Sequence, residues 1–359
     1  MSLEVFPLDD HAQQWDDLLA DMPARLQDVY FGSAYLLLWQ RNGDGRAHGA
    51  VFRHGATKVL YPFLLRPLRA VPWLGDKWSD YGDIQTPYGY GGPLISRGSG
   101  DEHGVRLFRE AFAEWCREQG VVSEFVRFHP LLDTHLGLES YLEVKRDNTT
   151  VWCRTDCTTG ERLENLSSST RRGVRKARKE GLEVAVETEP AAYREFAQLY
   201  RATMERRDAR PYYLFGDKYF DDFRELLGPA QSLLTVRHEG KMAAGAVFMR
   251  SQPFLHYHLG GSDAGLLPLR PNNLLFFEAM TWGCSRGQVA MHLGGGYQAG
   301  DELFRFKSGF SPLRASFYVG RAVHDAEAYE QAVAARAGAG TEPADAGYFP
   351  AYRAPLSPA

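Results

Sequence analysis

The sequence lacks the features that would assign it at once to several large classes of protein. Its 359 residues contain only four cysteines, and no two form a CxxC pair, so neither a disulfide framework nor a cysteine-rich zinc site is indicated. The 41 Lys and Arg residues nearly balance the 45 Asp and Glu residues, which leaves a net charge of −4. This charge gives no overall attraction to nucleic acid or to a membrane surface. Any site for a polyanion must therefore be local.

Membrane and nucleotide-binding signatures are missing as well. No apolar run is long enough to cross a bilayer, and the acidic N-terminal segment lacks the apolar core of a signal peptide, so we expect a cytoplasmic protein. There is no GxGxxG motif and no Ser-His-Asp pattern. His256, His258 and His292 fall on strand-like segments, but no carboxylate or cysteine completes a zinc ligand set. No metal site is predicted.

The sequence does contain a repeated order of secondary-structure patterns. Each half reads as a strand, two helices, antiparallel strands, a helix and a further strand, although no residue-level repeat is visible. An apolar content of 44% suits a globular protein with full cores. The sequence thus predicts an α/β protein with mixed sheets in two domains, residues 1–155 and 156–320. Residues 321–359 are expected to form a C-terminal helix and a mobile Ala/Gly/Pro-rich tail whose aromatic residues can pack back on the first domain.

A strongly basic helix is predicted between the two halves, over Leu163–Lys179. Its apolar positions form one stripe, and Gly181 ends it. The other faces carry six almost unopposed cations, which are Arg171, Arg172, Arg175, Lys176, Arg178 and Lys179. A solvated charged face and a face that binds phosphates or RNA both fit this pattern.

The segment best suited to chemistry is MHLGGGYQAGDELFRFKSGF, from Met291 to Phe310. A buried strand is followed by Gly294, Gly295 and Gly296, where no side chain stops a ligand from approaching the backbone. Tyr297 lies beside the turn, and Lys307 follows among the aromatic residues Phe304, Phe306 and Phe310. A cation held among aromatic rings is poorly hydrated and acts more strongly on charge that develops beside it. The alternative is a loop with a snorkelling lysine.

Four segments resemble the FemABX-like family of peptidyltransferases, built from two GNAT-type domains, and its FemAB-related acetyltransferase relatives. STRRGVRKARKEGLEV is similar to the basic helix and strand that open the second domain, and FAQLYRATMERRDARPYY resembles its LYxxTMxR-type helix. LGGG followed by LFRFKSGF is similar to the terminal glycine turn and FK motif, and PYGYGGPL to the GP segment of the first domain. The resemblance implies two tandem GNAT-like domains. The coiled-coil arm of some members is absent, because no heptad segment lies between residues 215 and 232.

The resemblance also implies transfer of an acyl or aminoacyl group to an amine. In the better-studied members the donor is aminoacyl-tRNA and the acceptor is a phosphorylated peptidoglycan precursor of the cell wall. By the FK motif, Lys307 would stabilise the oxyanion, while Phe304 and Phe306 shape its pocket. The family's basic acceptor-binding residues correspond to Arg206, Arg210 and, as a poorer match, Arg41. For the tRNA donor, the cations of the basic helix are the candidates, which are Arg171, Arg172, Arg175, Lys176 and Lys179.

One segment disfavours a CoA donor. GNAT enzymes that use CoA bind its pyrophosphate with backbone N–H groups of a glycine-rich loop before a helix. The corresponding segment here, GLLPLRPNNLLFF, contains Pro268 and Pro271, and proline has no N–H to donate. No cofactor is therefore expected. An N-acetyltransferase that uses acetyl-CoA remains one alternative, and a non-catalytic protein of the same fold that binds tRNA or precursor is a second.

Overall fold

The computed structural model describes residues 2–96, 102–298, 300–339 and 347–355. These residues pack into two compact units. The first draws on ranges 1–26, 30–147 and 317–359, and the second on ranges 27–29 and 148–316. The domain boundaries expected from the sequence, after residues 155 and 320, stay a prediction about independent folding, which compact packing alone does not test.

The described residues form thirteen β-strands and ten α-helices. The strands are β1 (Ser2–Pro7), β2 (Arg46–His54), β3 (Thr57–Pro67), β4 (Gly82–Gln85), β5 (Leu94–Ser96), β6 (Val121–Arg127), β7 (Glu143–Arg154), β8 (Glu183–Glu187), β9 (Gln231–His238), β10 (Lys241–Arg250), β11 (Phe254–Ser262), β12 (Ala290–Gly294) and β13 (Arg314–Val323). The helices are α1 (Leu8–Ala20), α2 (Ser33–Arg41), α3 (Glu102–Glu118), α4 (Thr159–Asn165), α5 (Ser168–Lys179), α6 (Pro190–Arg206), α7 (Asp217–Leu227), α8 (Pro271–Ser285), α9 (Glu302–Ser308) and α10 (Ala326–Gly338).

The sheet of the first unit runs in the order β1-β2-β3-β4-β6-β13, and β5 also pairs with β3. Its pairs are antiparallel except for β4 and β6, which are parallel. Helix α3 packs on this sheet because its apolar residues recur every three or four positions on one side. These residues are Val105, Phe108, Phe112 and Cys116.

The end of the chain is fastened to the first unit through Asp83. The Tyr352 hydroxyl donates to Asp83 Oδ2 at 2.9 Å, and Arg353 Nε donates to the same oxygen at 2.5 Å. Arg66 Nε donates to the other carboxylate oxygen at 2.6 Å. Because a buried carboxylate is costly unless it is paired, Asp83 has a structural role here.

The sheet of the second unit runs in the order β7-β12-β11-β10-β9-β8. The β11–β12 pair is parallel and the others are antiparallel. Successive strand residues point to opposite faces. On β10, a Cβ on Gly245 would meet Phe196 of α6 at 2.9 Å, whereas Ala244 and Ala246 pack with α8 residues Phe276 and Phe277. Helices α6 and α8 therefore cover opposite faces of the sheet.

The predicted order of a strand, two helices, antiparallel strands, a helix and a further strand is present in the second unit, from β8 to β12. Helix α6 begins with Pro190, which suits a first helical turn. The basic helix is a correction. The sequence predicted one helix over Leu163–Lys179, but α4 ends at Asn165 and α5 begins at Ser168. Leu166 between them is extended, and the Ser167 side chain accepts the N–H of Thr170 at 3.1 Å, which starts a new helix.

The mixed α/β fold class and the lack of a coiled-coil arm are confirmed for the described residues. The longest helices there, α3 and α6, have 17 residues each. Helix α7 and a short 3-10 turn fill the region where an arm would be inserted. Among the described residues, no helix is both long and apolar enough to span a bilayer.

Candidate active site

Lys307 is the buried lysine of this chain. All eight lysines lie in the described part of the structure, and the others are at least partly exposed, whereas Lys307 is 5% exposed. The residue lies in the last turn of α9, a helix that the sequence did not predict. Its Nζ donates to the carbonyl oxygen of Gly295 at 2.7 Å and lies 5.3 Å from the centroid of the Tyr257 ring. An ammonium has three N–H donors, and the Gly295 carbonyl accepts one of them.

The glycine turn is held by Asp301, the N-cap of α9. Asp301 Oδ1 accepts the N–H of Phe304 at 2.7 Å. Asp301 Oδ2 accepts the N–H groups of Tyr297 at 2.6 Å and Gln298 at 2.9 Å. One carboxylate thus starts the helix and closes the turn that precedes it.

Each glycine of the turn is favoured at its position for a different physical reason. Gly294 has φ +73°, a conformation that residues with a side chain rarely adopt. A Cβ on Gly295 would lie 3.0 Å from the carbonyl oxygen of Thr149, and a Cβ on Gly296 would lie 2.2 Å from Asp301 Oδ1. The third glycine is therefore required by the position of the Asp301 carboxylate.

The electrostatics of the site follow from burial and from this carboxylate. Burial lowers the pKa of Lys307 to about 7, with the charge of Asp301 acting in the opposite direction. Burial disfavours the charged form of Asp301, but hydrogen bonds from backbone N–H groups outweigh it, and the net result is a lowered pKa. Burial raises the pKa of Tyr257 to about 12, against the positive charge of Arg207. Lys307 can therefore exchange a proton near neutral pH, while Tyr257 stays protonated.

The aromatic residues that flank Lys307 in the sequence pack into the core of the second unit. Phe306 and Phe310 have ring centroids 5.2 Å apart, and both contact Phe276 of α8, at 5.5 and 5.3 Å. Phe304 packs against the same core, and the Arg314 guanidinium lies 5.5 Å above its ring. The expected role of Phe304 and Phe306 in shaping the pocket of Lys307 stays a prediction.

The predicted arginines lie near the end of α6. Arg206 is the last residue of the helix, and its Nη2 donates to the carbonyl of Ser262 at 3.1 Å. Arg210 lies beyond the helix, after Asp208 at φ +50°, so it does not continue the helix face of Arg206. The Arg210 guanidinium instead lies 5.7 Å above the ring of Tyr297, which is 60% exposed. The structure thus brings Arg210 to the glycine turn.

The cations of α5 divide into two groups. Arg171 Nη2 donates to the carbonyls of Glu164 and Leu166, and Arg178 pairs with Glu278 at 2.6 Å. The remaining four are exposed and share one helix face, because they are spaced by three or four residues. We call this the basic stripe, and it consists of Arg172, Arg175, Lys176 and Lys179.

Other predicted candidates lie elsewhere. His256 Nε2 lies 2.7 Å from Asp28 Oδ2, and His258 Nε2 lies 2.7 Å from the hydroxyl of Tyr219. Burial lowers the pKa of His258 to about 3, so it stays neutral. Arg41 ends α2 in the first unit.

The segment before α8 offers few backbone donors to a phosphate. The N–H groups of Gly265 and Leu266 are bound by Asp263 Oδ1, and those of Leu269 and Arg270 by backbone carbonyls. Asn273 and Leu274 both donate to the carbonyl of Arg270. Because Pro268 and Pro271 have no N–H, this segment fits the pyrophosphate of CoA poorly.

Sequence reasoning missed Tyr257 and Arg207. Tyr257 lies on β11, and its contact with Lys307 joins residues fifty positions apart. No local pattern identifies such a contact. Arg207 follows the last residue of α6, and only its charge effect on Tyr257 connects it with the site.

The residues that hold this site are similar to a known domain family. Residues 165–308 match the family model of the Acetyltransferase (GNAT) domain. This range contains α5 to α9, the glycine turn and Lys307. The second unit is therefore similar to a GNAT-type acetyltransferase domain over most of its length. No curated protein sequence matches the chain.

The solved structures similar to this chain extend the likeness to both units. The crystal structure of FemX is similar with a TM-score of 0.70 at 12% identity, over 92% of this chain and 99% of that chain. The C-terminal domain of a proposed lysylphosphatidylglycerol synthetase from Agrobacterium fabrum has a TM-score of 0.53 at 17% identity, over 88% and 94%. A protein of unknown function from Bacteroides thetaiotaomicron has a TM-score of 0.52 at 12% identity, over 80% and 89%. The fold is thus FemX-like, and the resemblance noted in the sequence is confirmed at the level of fold.

Proposed function

We propose that this protein transfers an acyl or aminoacyl group from an activated ester to an amine and so forms an amide bond. The observation that carries the proposal is the buried Lys307 ammonium, which is fixed by the carbonyl of Gly295 and the ring of Tyr257 at the edge of a glycine turn. The match of residues 165–308 to a GNAT-type acetyltransferase domain supports the same reaction class.

In this reaction the acceptor nitrogen attacks the ester carbonyl, and negative charge gathers on the carbonyl oxygen. Lys307 then donates a remaining N–H to that oxygen, and so stabilises the transition state more than the ground state. When the intermediate collapses, the C–O ester bond breaks, the C–N bond remains, and the proton lost by nitrogen passes to the leaving hydroxyl. Phe304 and Phe306 limit access of water, which would otherwise hydrolyse the ester.

The donor we propose is an aminoacyl-tRNA. Two features support it: the four exposed cations of the basic stripe and the lack of available N–H donors in the segment before α8. Cations on one helix face bind phosphates with release of counterions. The acceptor we propose is an amine on a phosphorylated compound such as a peptidoglycan precursor, with Arg206, Arg210 and Tyr297 at its binding site. FemX and the lysylphosphatidylglycerol synthetase domain are consistent with this only as similar folds.

The alternative enzyme is an N-acetyltransferase that uses acetyl-CoA, which the GNAT-domain match favours and the segment before α8 disfavours. A non-catalytic binding protein would not need a buried lysine with a lowered pKa, because burying that cation costs folding free energy.

A transfer assay tests the proposal. Purified protein is incubated with radiolabelled aminoacyl-tRNAs and a UDP-linked muropeptide, or with labelled acetyl-CoA and the same acceptor. We expect base-stable amide product from the tRNA donor, and none with Lys307→Met. Product from acetyl-CoA alone would move the protein to the alternative class, and no product from either donor would contradict the proposed function.

A further inference from the structure

We propose that Asp301 is a positioning residue, whose carboxylate fixes the glycine turn against α9 and so directs the Lys307 ammonium. The inference rests on the proposed function of Lys307 as the group that stabilises the oxyanion. It assigns a role to a side chain that does not itself touch the reacting atoms.

The hydrogen bonds of Asp301 exceed what a helix cap needs. Capping α9 requires one acceptor, and Oδ1 supplies it to the N–H of Phe304 at 2.7 Å. The second oxygen, Oδ2, accepts the N–H groups of Tyr297 and Gln298, which belong to the turn. Because Asn caps a helix about as well as Asp, capping alone does not explain a charged residue here.

The same carboxylate is linked to Lys307 through the backbone of the turn. Lys307 Nζ donates to the carbonyl of Gly295, and the N–H of Tyr297, two residues later, donates to Asp301. The turn is therefore held from both sides by residues of one short segment. Gly296 lies between these two points, where a Cβ would come within 2.2 Å of Asp301 Oδ1. The geometry fixes the carbonyl of Gly295 and, through it, the direction of the ammonium.

The charge of Asp301 also acts on Lys307. The groups in contact with the ammonium are the Gly295 carbonyl and the neutral Tyr257 phenol on β11, and the Asp301 carboxylate at the start of α9 acts on it through its charge. Burial favours the neutral amine, and Asp301 is the charge that opposes it. A neutral amine is a weaker donor to an oxyanion than an ammonium. Removing the carboxylate charge should therefore confine activity to lower pH.

The experiment uses the full chain and two matched variants. Asp301→Asn keeps one oxygen that can cap the N–H of Phe304, deletes the charge, and replaces the oxygen that accepts the N–H groups of Tyr297 and Gln298 with an NH2 group. Asp325→Asn makes the same change at the N-cap of α10, where the Asp325 side chain accepts the N–H of Ala328, and serves as the control. The chain has only eight lysines, so ¹³Cε-lysine labelling gives a simple spectrum, in which Lys307→Met assigns the Lys307 signal.

We expect the Lys307 signal to titrate far below the other lysines, and to move down by about one further pH unit in Asp301→Asn. The pH at which kcat falls on the alkaline side of its profile should decrease by the same amount. Above this pH the kcat should be about tenfold lower than that of the wild type, and below it the kcat should be near normal. Asp325→Asn should change neither. An unshifted Lys307 titration in Asp301→Asn, or a kcat loss that is equal at every pH, would show that Asp301 is only structural.

A second variant keeps the test independent of how well Asp301→Asn folds. Gly296→Ala displaces the carboxylate by steric contact, whereas Gly216→Ala adds a methyl where no atom lies within 4 Å. Only Gly296→Ala should shift the Lys307 titration. The titration does not require turnover, so a shift without transfer from any donor would contradict the proposed function and leave the positioning role supported.

Discussion

At the scale of single residues, removing the charge of Lys307 should have the largest effect on kcat. Lys307→Met keeps most of the stem packing and removes the ammonium. Loss of one oxyanion donor costs on the order of 100- to 1000-fold in kcat. We expect that loss with near-normal affinity for both substrates, measured by steady-state kinetics and by binding titration. A folded Lys307→Met enzyme with a wild-type kcat would show that Lys307 only fills the core.

The same substitution should change how stability depends on pH. The pKa of Lys307 is about 7 in the folded protein against 10.5 for the unfolded chain. The cost of burying the cation is therefore complete below pH 7 and is relieved as pH rises toward 10.5. Between these limits the free energy of unfolding of the wild type should rise by roughly 2 to 5 kcal/mol relative to Lys307→Met. Parallel curves for the two proteins, from urea unfolding at several pH values, would contradict the lowered pKa.

At the scale of elements, the basic stripe of α5 has a function that can be separated from packing. Arg171 and Arg178 make contacts within the protein, whereas Arg172 and Lys176 are exposed. Reversing Arg172 and Lys176 to Glu should weaken tRNA binding and reduce the slope of log K against log salt by about two, one for each lost phosphate contact.

The control for this reversal is the double variant Arg53→Glu and Lys145→Glu, which changes two exposed cations of the first unit by the same charge. Its salt slope should match that of the wild type, as should its melting temperature. If both double variants lower the slope equally, tRNA binding follows net charge and does not involve the stripe.

The end of α6 supports a second prediction at this scale. Arg210 lies over Tyr297 at the glycine turn, and Arg suits bidentate contacts with phosphate. Arg210→Ala should raise the KM for a phosphorylated acceptor about tenfold, with a smaller effect on donor affinity. Arg194→Ala, an exposed position on α6, is the matched control. Arg206 is a less direct test because it also donates to Ser262. An unchanged acceptor KM in Arg210→Ala would remove this residue from the site.

At the scale of the whole molecule, a ligand that binds only the native state raises the melting temperature by mass action. At about 100 times its Kd, a single-site ligand adds roughly 2.7 kcal/mol, which corresponds to several degrees for a chain of this size. We expect this rise with a charged tRNA and with a UDP-linked muropeptide, and none with acetyl-CoA at the same concentration. A rise with acetyl-CoA alone would favour the alternative enzyme.

Much of the fold could be predicted from the sequence because its signals are local. The pair Glu239 and Gly240, both at positive φ, marks the β9–β10 hairpin, and Gly287 at φ +86° follows α8. Strand alternation and the glycine turn identified β12 and the region of Lys307. Helix α9 was missed because its seven residues are too short for a periodic pattern.

The division of the basic helix depended on a distant residue. The apolar spacing is compatible with one helix over Leu163–Lys179, but the N–H of Ser167 donates to the carbonyl of Gly309 at 2.8 Å. A Cβ on Gly309 would lie 2.3 Å from Thr170 Oγ1, so the start of α5 packs directly on the end of α9. That contact joins segments about 140 residues apart, and the residue pattern within either segment does not predict it.

The sequence by itself determined that a lysine follows a glycine turn among aromatic residues, because residue identity and spacing are enough for that. Only the tertiary structure decided that Lys307 is buried, that it faces Tyr257, and that Asp301 holds the turn. The physical reason is that the pKa and donor strength of an ammonium depend on desolvation and on nearby charge. The nearby charge, Asp301, is only six positions from Lys307, but the desolvation depends on packing against residues such as Tyr257 that are far away in the chain.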